Sequence, residues 1–361
     1  PLGVIGIMAP WNYPLSLVLM ALATALAAGN RAMIKPSEFT PATSALLAAM
    51  LADLFPSEQV AVVQGDAATG AAFAALPFDH LVFTGSTSVG RAVMKAAADH
   101  LVPVTLELGG KSPVVVARGH GARSAEAIAY GKLINAGQTC IAPDYALLHP
   151  DDVEPFVGAF DDAVKRLYPD GPAGDDYSAI INERHYQRLA GLLDDARAKG
   201  ARIVQPGHRP QDAAGRAHTM APALVLDVSD DMRIMQEEIF GPLLPVRACA
   251  DVDEAIRIIN AQPRPLALYS FGPAGPERDR LLARTTSGNV TINNTLMHYA
   301  QDDLPFGGVG PSGIGAYHGV EGFRALSHAK GVLVQSRWNL SNLLRPPFGR
   351  LADIVLKAML R

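Results

Sequence analysis

The chain has few of the residues that build disulfide frameworks or metal sites. It has two cysteines in 361 residues, which is too few for a disulfide scaffold and typical of a reducing cytoplasm. The ten histidines are scattered without a His-x-x-x-His pair, and no Gly-x-Ser-x-Gly motif is present. These absences argue against a structural metal and against serine-hydrolase chemistry. We therefore expect no metal site and a cytoplasmic location.

An excess of charge of one sign is also missing. The formal net charge is −4, charged residues make up 18% of the chain, and no long block of like charges appears. Nucleic-acid-binding surfaces are typically basic, so nucleic acid is not an expected partner. The hydrophobic content of 49% predicts a globular protein with a large core.

The first thirty residues contain no charged side chain, which raises the question of a membrane or export segment. Pro10 and Pro14 interrupt the apolar run, and the uninterrupted stretch 15–28 is too short to span a bilayer. No basic segment precedes it, as an export signal would require. We predict a buried strand followed by a buried helix, and no membrane span.

Short apolar runs alternate with helical stretches in the first third of the chain, a pattern that predicts a parallel sheet with helices on its faces. Ligands of such sheets bind beyond the carboxyl ends of the strands, where the turns 9–14, 35–38 and 84–87 are expected. The predicted elements, strand and helix in turn, are Val4–Met8, Leu15–Ala28, Ala32–Ile34, Ala42–Leu54, Val60–Val63, Thr69–Leu76, His80–Thr84 and Val89–Ala98.

The segment 102–111 reads as a strand that ends in two glycines, Gly109 and Gly110, and is a candidate domain junction. A second strand and helix pattern follows it, with polar surface loops at 169–176 and 206–217. The predicted elements are strands Val114–Ala117, Tyr145–Leu148, Arg202–Val204 and Asn289–Ile292, helices Ser124–Ala136, Pro155–Leu167 and Arg184–Lys199, and an irregular segment Pro305–Gly319.

The tail 351–361 has apolar residues at helical spacing. Such a stripe usually packs on the body of its own or a partner subunit. Because Arg350, Lys357 and Arg361 flank it, peripheral contact with a membrane surface is an alternative.

Cys140, in Gly-Gln-Thr-Cys at 137–140, follows the predicted helix 124–136 and is a candidate nucleophile. A small buried hydrophobe is the alternative interpretation of a single cysteine. Glu107 stands in an apolar run beside the two glycines, where a raised pKa would suit a general base; a structural ion pair with Lys111 is its alternative. Asn12 is either an oxyanion donor or a turn residue between prolines.

Two glycine motifs differ in context. The segment 308–313 matches Gly-x-Gly-x-x-Gly, but it neither follows a convincing strand nor opens a helix, so we reject it as a dinucleotide fingerprint. The segment 85–90 lies between a strand and a helix, where it can hold a phosphate or simply form a capped turn.

Further residues fit a nucleotide. Lys35 and Glu38 at a strand end can bind ribose hydroxyls, or form a solvated surface pair. Glu238 can bind a ribose with Phe240 packing on a nicotinamide, or the two can mark a helix end with a buried aromatic ring.

Taken together and in this order, these residues resemble the NAD(P)-dependent aldehyde dehydrogenase family, in its class 3 branch, and most of all its bacterial coniferyl aldehyde dehydrogenases. The resemblance covers most of the chain. The matching segments are Pro10–Pro14, Lys35–Glu38, Phe83–Thr87, Leu106–Pro113, Gly137–Cys140, Ala142–Tyr145, Ile180–Tyr186, Glu237–Pro242, Ala300–Leu304, Pro305–Gly308, Ser312–Gly319 and Arg337–Asn339.

The resemblance implies a role for each candidate residue. Cys140 would attack the aldehyde, the Asn12 amide and the Cys140 backbone N–H would hold the oxyanion, and Glu107 would activate water to hydrolyse the thioester. NAD is the implied cofactor, with NADP possible. The cofactor would be bound by Trp11, Lys35, Glu38, Gly85, Ser86, Thr87, Ser88, Val89, Gly90, Glu238 and Phe240.

The resemblance also implies an aldehyde dehydrogenase-like α/β fold with two doubly wound, Rossmann-like domains whose sheets are mostly parallel. We expect a cofactor-binding domain at 1–107, a catalytic domain at 108–304 and an oligomerisation and tail segment at 305–361, in a homodimer. Relatives have a longer N-terminal part, so we expect that sequence is missing before Pro1. Asn289 and Asn294 stand where relatives have Gly and Asp.

The expected reaction is oxidation of an aldehyde to a carboxylic acid, with a coniferyl-type aromatic aldehyde as the first choice. The alternatives are a long-chain fatty aldehyde, a cofactor-binding remnant without activity, and a CoA-acylating relative. The candidate base at Glu107 favours hydrolysis over CoA acylation.

Overall fold

The structure is a computed structural model that describes residues 1–207, 216–339, 341 and 345–360. The chain divides into two compact units, Pro1–Ser327 and His328–Arg361. The first unit holds two mostly parallel sheets with helices between their strands. The predicted α/β architecture is therefore confirmed.

The first sheet has the strand order β13-β5-β4-β1-β2-β3. Its neighbours run parallel, except that β13 pairs antiparallel with β5, placing Gly313 opposite Glu107. Most residues of its central strands are buried, because helices cover both faces of a parallel sheet. The strands are β1 Val4–Met8, β2 Arg31–Lys35, β3 Val60–Val62, β4 His80–Thr84, β5 Val104–Glu107 and β13 Gly313–Ile314.

The uncharged N-terminal segment forms β1 and a largely buried helix, as predicted. Val18 and Ala25 on this helix are fully buried, and no helix in the described ranges is long and apolar enough to cross a membrane. The helices beside the first sheet are α1 Ser16–Ala27, α2 Pro41–Leu54, α3 Ala67–Ala74 and α4 Thr87–Ala98.

The second sheet has the order β12-β11-β6-β7-β10-β9-β8. Among the described strands of this second sheet, only β8 and β9 pair antiparallel. Three of its strands, at 223–226, 243–248 and 267–271, are not predicted by the sequence patterns. The strands are β6 Pro113–Val116, β7 Tyr145–Leu148, β8 Arg202–Val204, β9 Ala223–Leu226, β10 Leu243–Ala248, β11 Ala267–Phe271 and β12 Asn289–Ile292.

Predicted and observed helix boundaries beside the second sheet differ. The helix predicted at 155–167 begins at Pro150, since a proline fits the first helical position, and Pro155 lies inside it. The loop predicted at 206–217 lies largely outside the described residues, because 208–215 are not among them. The helices are α5 Gly121–Leu133, α6 Pro150–Leu167, α7 Glu183–Ala198, α8 Arg233–Gln236, α9 Val252–Ala261, α10 Pro276–Arg284 and α11 Gly319–Ala325.

The two sheets meet along one seam. The carboxyl ends of β1, β2, β4 and β5 lie on one edge of the first sheet, whereas β6, β7 and β10 begin directly after the loops 108–112, 140–144 and 238–242. Side chains from the two edges touch, as Trp11 and Phe240 do at a ring-centroid distance of 5.4 Å. The candidate site residues therefore gather between the carboxyl edge of one sheet and the amino edge of the other.

The second unit, His328–Arg361, contains the helix α12, Arg350–Met359. The predicted tail helix thus begins one residue earlier than expected, and its last predicted residue, Arg361, lies outside the described residues. Leu351 and Ile354 are more than half exposed on it.

Candidate active site

Cys140 follows a turn that ends α5 sooner than predicted. The helix stops at Leu133, not Ala136, because Asn135 and Ala136 have left-handed backbone angles, with φ of 50° and 51°. Gly137 also has positive φ, and a Cβ there would lie 2.2 Å from the Gly241 carbonyl oxygen. Only glycine fits this close approach, which fixes the chain three residues before the thiol.

The Gln138 side chain anchors the same turn to a neighbouring loop. Its Nε2 donates to the carbonyl oxygens of Asn135 and Ala179, at 3.0 Å each. Its Oε1 accepts a hydrogen bond of 2.9 Å from the Ile181 N–H. These bonds hold the half-buried Cys140 in a defined position.

Asn12 is directly joined to the cysteine loop. Its buried side-chain Nδ2 donates to the Gln138 backbone carbonyl oxygen at 3.1 Å. The Asn12 backbone carbonyl oxygen accepts a hydrogen bond from Asn135 Nδ2 at 3.0 Å. Since an amide nitrogen carries two protons, one N–H of Asn12 remains available for an oxyanion. The turn interpretation alone does not explain why this side chain is buried against residue 138.

Glu107, the last residue of β5, is 2% exposed, and neither carboxylate oxygen has a hydrogen-bond partner among the described residues. Burial raises its pKa well above the ordinary value. The alternative ion pair with Lys111 does not form, because the Lys111 ammonium binds the Asp144 carboxylate instead. Within the described ranges, Glu107 is thus a buried acid without a structural partner.

Three acidic groups share one desolvated space. Burial, with the charges of Glu238 and Glu107 as smaller contributions, raises the pKa of the Cys140 thiol to about 12. Burial also raises the pKa of Glu238 to about 7, with Asp144 adding to the effect. The free thiol is therefore protonated at neutral pH, and forming the thiolate requires proton loss in an acidic neighbourhood.

The raised pKa of Cys140 predicts how the reactivity of its thiol changes with pH. We expect the rate of Cys140 alkylation by iodoacetamide to rise about tenfold for each pH unit from about pH 7 to 10, because the thiolate fraction follows the raised pKa. Glu238→Gln should increase the rate at about pH 8, and Glu107→Gln by less. Peptide mass spectrometry measures the rate, with Glu126→Gln as the surface control. A plateau near pH 8 would contradict the raised pKa.

Glu238 lies over the glycine pair after β5. The Gly110 N–H donates to its carboxylate, and a Cβ at Gly109 would lie 2.1 Å from Glu238 Oε2. Arg188 Nη1 donates to the Glu238 carbonyl oxygen at 3.1 Å. The helix-end alternative is correct only in part: α8 ends at Gln236, but the half-buried Phe240 has φ of 50° and packs edge-on against Trp11.

The pair at the end of β2 is not a solvated surface pair. Lys35 Nζ lies 2.7 Å from Glu38 Oε2, with the lysine side chain 6% and the glutamate side chain 34% exposed. Burial raises the pKa of Glu38, but the hydrogen bonds from Lys35 and from the Glu38 backbone, together with the charge of Lys35, outweigh burial and hold the pKa below its usual value. Glu38 is therefore a carboxylate at neutral pH.

The phosphate-binding candidate 85–90 opens α4 as predicted. Ser86 is the N-cap and accepts a hydrogen bond of 3.4 Å from the Val89 N–H. The side chain of Ser88 lies 3.1 Å from Ser86 Oγ, and Thr87 Oγ1 donates to the Pro311 carbonyl oxygen. The first N–H groups of a helix have no partner within it, so the end of α4 suits an anion.

Two further glycines allow close packing there. A Cβ at Gly85 would lie 2.6 Å from the Phe83 ring, and one at Gly90 would lie 2.6 Å from Leu108 Cδ2. The rejected motif at 308–313 pairs with β5 through β13 and opens no helix.

These residues fit a nicotinamide dinucleotide. The open end of α4 suits the phosphates, Glu38 and Glu238 supply carboxylates for ribose hydroxyls, and Trp11 and Phe240 supply aromatic faces. The unpartnered Glu107 carboxyl and Asn12 Oδ1 lie buried on the side of the cysteine. No cluster of metal-ligating side chains occurs in the described ranges.

Sequence reasoning missed the residues that support the loop 234–239. Lys111 Nζ donates to the Ile234 and Glu237 carbonyl oxygens as well as to Asp144, whose other oxygen accepts from the Ile239 N–H at 2.9 Å. Lys111 and Asp144 are 33 positions apart, and no local spacing signals such a pairing. Four tyrosines whose pKa burial raises also lie within electrostatic range of Cys140: Tyr13, Tyr269, Tyr299 and Tyr317.

A family model described as the aldehyde dehydrogenase family matches residues 1–332. The chain belongs to the aldehyde dehydrogenase family. It is an oxidoreductase that acts on aldehydes with NAD(P), and the resemblance seen in its sequence is confirmed.

Individual aldehyde dehydrogenases are similar along most of the chain. A probable coniferyl aldehyde dehydrogenase of Caulobacter vibrioides is 54% identical over 353 residues, which cover 97% of this chain and 73% of the relative. The substrate-bound structure of Staphylococcus aureus AldH superposes with a TM-score of 0.92 at 40% identity, covering 100% of this chain and 78% of the other.

A Mycobacterium tuberculosis aldehyde dehydrogenase complexed with NAD+ superposes with a TM-score of 0.85 at 33% identity. That match covers 94% of this chain and 71% of the other. The expected fold and enzyme class of this aldehyde dehydrogenase are thus confirmed, whereas the roles of individual residues remain predictions.

Proposed function

We propose that this aldehyde dehydrogenase oxidises a coniferyl-type aromatic aldehyde to the carboxylic acid, with Cys140 as nucleophile, Asn12 as oxyanion donor and Glu107 as general base. The observation that carries the proposal is the hydrogen bond from Asn12 Nδ2 to the Gln138 carbonyl oxygen. Gln138 lies two residues before Cys140, and the charge of Glu107 raises the pKa of the Cys140 thiol. Nucleophile, donor and base thereby share one buried space.

The first step forms a bond between Cys140 Sγ and the carbonyl carbon, and the thiol proton leaves to solvent. The oxyanion accepts hydrogen bonds from the Asn12 amide and the Cys140 backbone N–H. Glu38, Glu238 and the start of α4, with Trp11 and Phe240, would hold NAD(P), which would supply the acceptor for the hydride on the carbonyl carbon. Loss of that hydride would leave a thioester on Cys140.

The second step hydrolyses the thioester. Glu107, once ionised, takes a proton from water, whose oxygen attacks the thioester carbon; the carbon–sulfur bond then breaks and Cys140 regains a proton. Burial of Glu107 makes its carboxylate a stronger base than an exposed one. The product is a free carboxylic acid.

The substrate proposal is supported by the similarity to coniferyl aldehyde dehydrogenases and by the aromatic surroundings of Cys140. Tyr299 packs edge-on against Phe306 at 5.1 Å, and both lie with Tyr317 in one aromatic cluster. Flat apolar rings favour a planar aromatic substrate. Long-chain fatty aldehydes remain the second candidate.

The test compares NADH formation with cinnamyl, benzyl and fatty aldehydes in the full-length protein. The highest kcat/KM is expected for the 4-hydroxy-3-methoxycinnamyl compound. A tenfold preference for a fatty aldehyde would contradict the substrate proposal, and acyl-CoA in place of free acid when CoA is supplied would contradict hydrolysis. A lack of NADH with every aldehyde would indicate a remnant without activity.

We further propose NAD as the preferred cofactor, because the Glu38 carboxylate at the end of β2 would repel a 2′-phosphate. Glu38→Gln is expected to raise kcat/KM for NADP and lower it for NAD, changing their ratio by about tenfold or more. Steady-state kinetics with both cofactors measure the ratio. Glu58→Gln, an exposed carboxylate before β3, is the matched control, and an unchanged ratio in Glu38→Gln would exclude this role.

We also propose a division into domains, an oligomeric state and a location. We assign cofactor binding to 1–107, catalysis to 108–304 and oligomerisation to 305–361, supported by the change of sheet between β5 and β6. A homodimer and a cytoplasmic location are proposed from the sequence, as is the weaker alternative of peripheral membrane contact through 351–361.

A further inference from the structure

The second sheet has an edge that the candidate active site does not use. β6, β7, β10 and β11 run parallel, and the cysteine and Glu238 loops precede their amino ends. Parallel sheets ordinarily bind ligands at the carboxyl ends, beside the point where the strand order reverses. Here β7 lies on one side of β6, and β11, which comes later in the chain, lies on its other side. The strand order therefore reverses between β6 and β11.

A cavity of about 450 Å³ lies at this carboxyl edge. Its volume is within the range of about 300–1,000 Å³ that is usual for small-molecule sites. The carboxyl ends of β6, β7 and β11 and the residues directly after β10 line it, and much of its wall is apolar. The apolar lining includes Val115, Leu147, Val252, Ala255, Phe271 and Leu281.

Arg278, in the first turns of α10, lines the cavity with an unpaired guanidinium. The half-buried Arg278 forms no ion pair with any described residue. A guanidinium without a paired carboxylate can form charge-assisted hydrogen bonds with an anion bound in the cavity. The N-cap of α10, Gly275, also has no side chain to cap the positive end of the helix.

The surrounding charges leave room for an anion. Asp251 lines the cavity, but its carboxylate accepts the Glu254 N–H at 2.8 Å and caps α9. Glu277 is exposed in the first turn of α10. A neighbouring cavity of about 320 Å³ shares Phe271 and contains Arg123, which forms no ion pair among the described residues.

We propose that the 450 Å³ cavity binds a small carboxylate with an apolar body, its carboxylate on the Arg278 guanidinium and its body against the apolar wall. The opposite edge of the sheet carries the candidate active site, so this is a second site. The proposal is independent of which aldehyde the enzyme oxidises.

The experiment photo-crosslinks 4-benzoylbenzoate to the full-length protein and maps the label by peptide mass spectrometry. Label is expected on peptides within 249–281, and unlabelled cinnamate should compete for it. Arg278→Gln should weaken labelling there by about tenfold or more, because a charge-assisted hydrogen bond is lost. Arg280→Gln, on the same helix and 3.3 Å from Asp253, is the control and should label normally.

Ala274→Trp places a bulky ring at an exposed position of the wall and leaves the arginine intact. It should also block labelling, and it decides the matter if Arg278→Gln does not fold. Label confined to peptides of the active site, no label at all, or equal labelling of Arg278→Gln and the wild type would each overturn the proposal.

Discussion

Cys140→Ala is expected to lower aldehyde-dependent NADH formation by at least about 10⁴-fold, since loss of a covalent nucleophile removes the whole reaction path. The substitution takes away one sulfur atom from a half-buried position. The bonds of Gln138 to Asn135, Ala179 and Ile181, which position the loop, involve no atom of the cysteine. The folded structure should therefore persist.

Cys249→Ala is the matched control. Cys249 is the other free cysteine, is buried, and donates to the Asp251 carbonyl oxygen at 3.1 Å. It lies beyond the carboxyl end of β10, so its removal should leave kcat/KM within about threefold of the wild type. Stopped-flow and steady-state absorbance of NADH measure both variants. Activity retained by Cys140→Ala would refute the proposed mechanism.

Glu107→Gln is expected to lower steady-state turnover by about 10²- to 10⁴-fold, the usual contribution of a general base. Acylation of Cys140 does not use this base, so the first turnover should still release one equivalent of NADH. The variant should thus show a burst followed by a slow phase. Stopped-flow absorbance separates the two phases.

The stability of Glu107→Gln should exceed that of the wild type by an increasing amount as the pH rises. Burial raises the folded-state pKa of Glu107 above its ordinary value of 4.5, so the folded state binds more protons than the unfolded state. Wild-type stability is therefore lost above about pH 4.5, by about 1.4 kcal/mol per pH unit until the folded pKa is reached. A glutamine has no charge to bury. The Tm difference between variant and wild type should grow from about pH 5 to pH 8.

Glu126→Gln is the control for both measurements, because its carboxylate is exposed and pairs with Arg166 on the surface. It should change neither the burst nor the Tm difference. A lost burst in Glu107→Gln would assign Glu107 to acylation. A constant Tm difference would show that the carboxylate is not destabilised by burial.

The sequence predicted much of the first sheet because its signals are local. β1 and β4 have the predicted bounds, and the loops that follow β1, β2 and β4 carry the candidate residues. Short apolar runs between helical stretches suffice for this, since a buried parallel strand needs only continuous apolar residues. The strands β9, β10 and β11 were not predicted, because the turns that flank them give weaker sequence signals.

Helix ends were predicted less well. α5 ends at Leu133 because Asn135 and Ala136 have left-handed backbone angles. The residue composition of this segment does not predict these angles. The turn results from the packing of Gly137 against Gly241, a contact between segments distant in sequence.

By itself, the sequence determined the alternation of strands and helices, the candidate nucleophile and the family resemblance, because these depend on residue types and their order. Only the tertiary structure decided what surrounds each candidate. Lys111 pairs with Asp144 and not with Glu107, which is buried without a partner among the described residues, since ion pairing and desolvation depend on which distant segments meet. The raised pKa of Cys140 has the same origin. Burial is its largest cause, and Glu107, at the end of β5 in the first sheet, lies near the thiol only when the two sheets pack together.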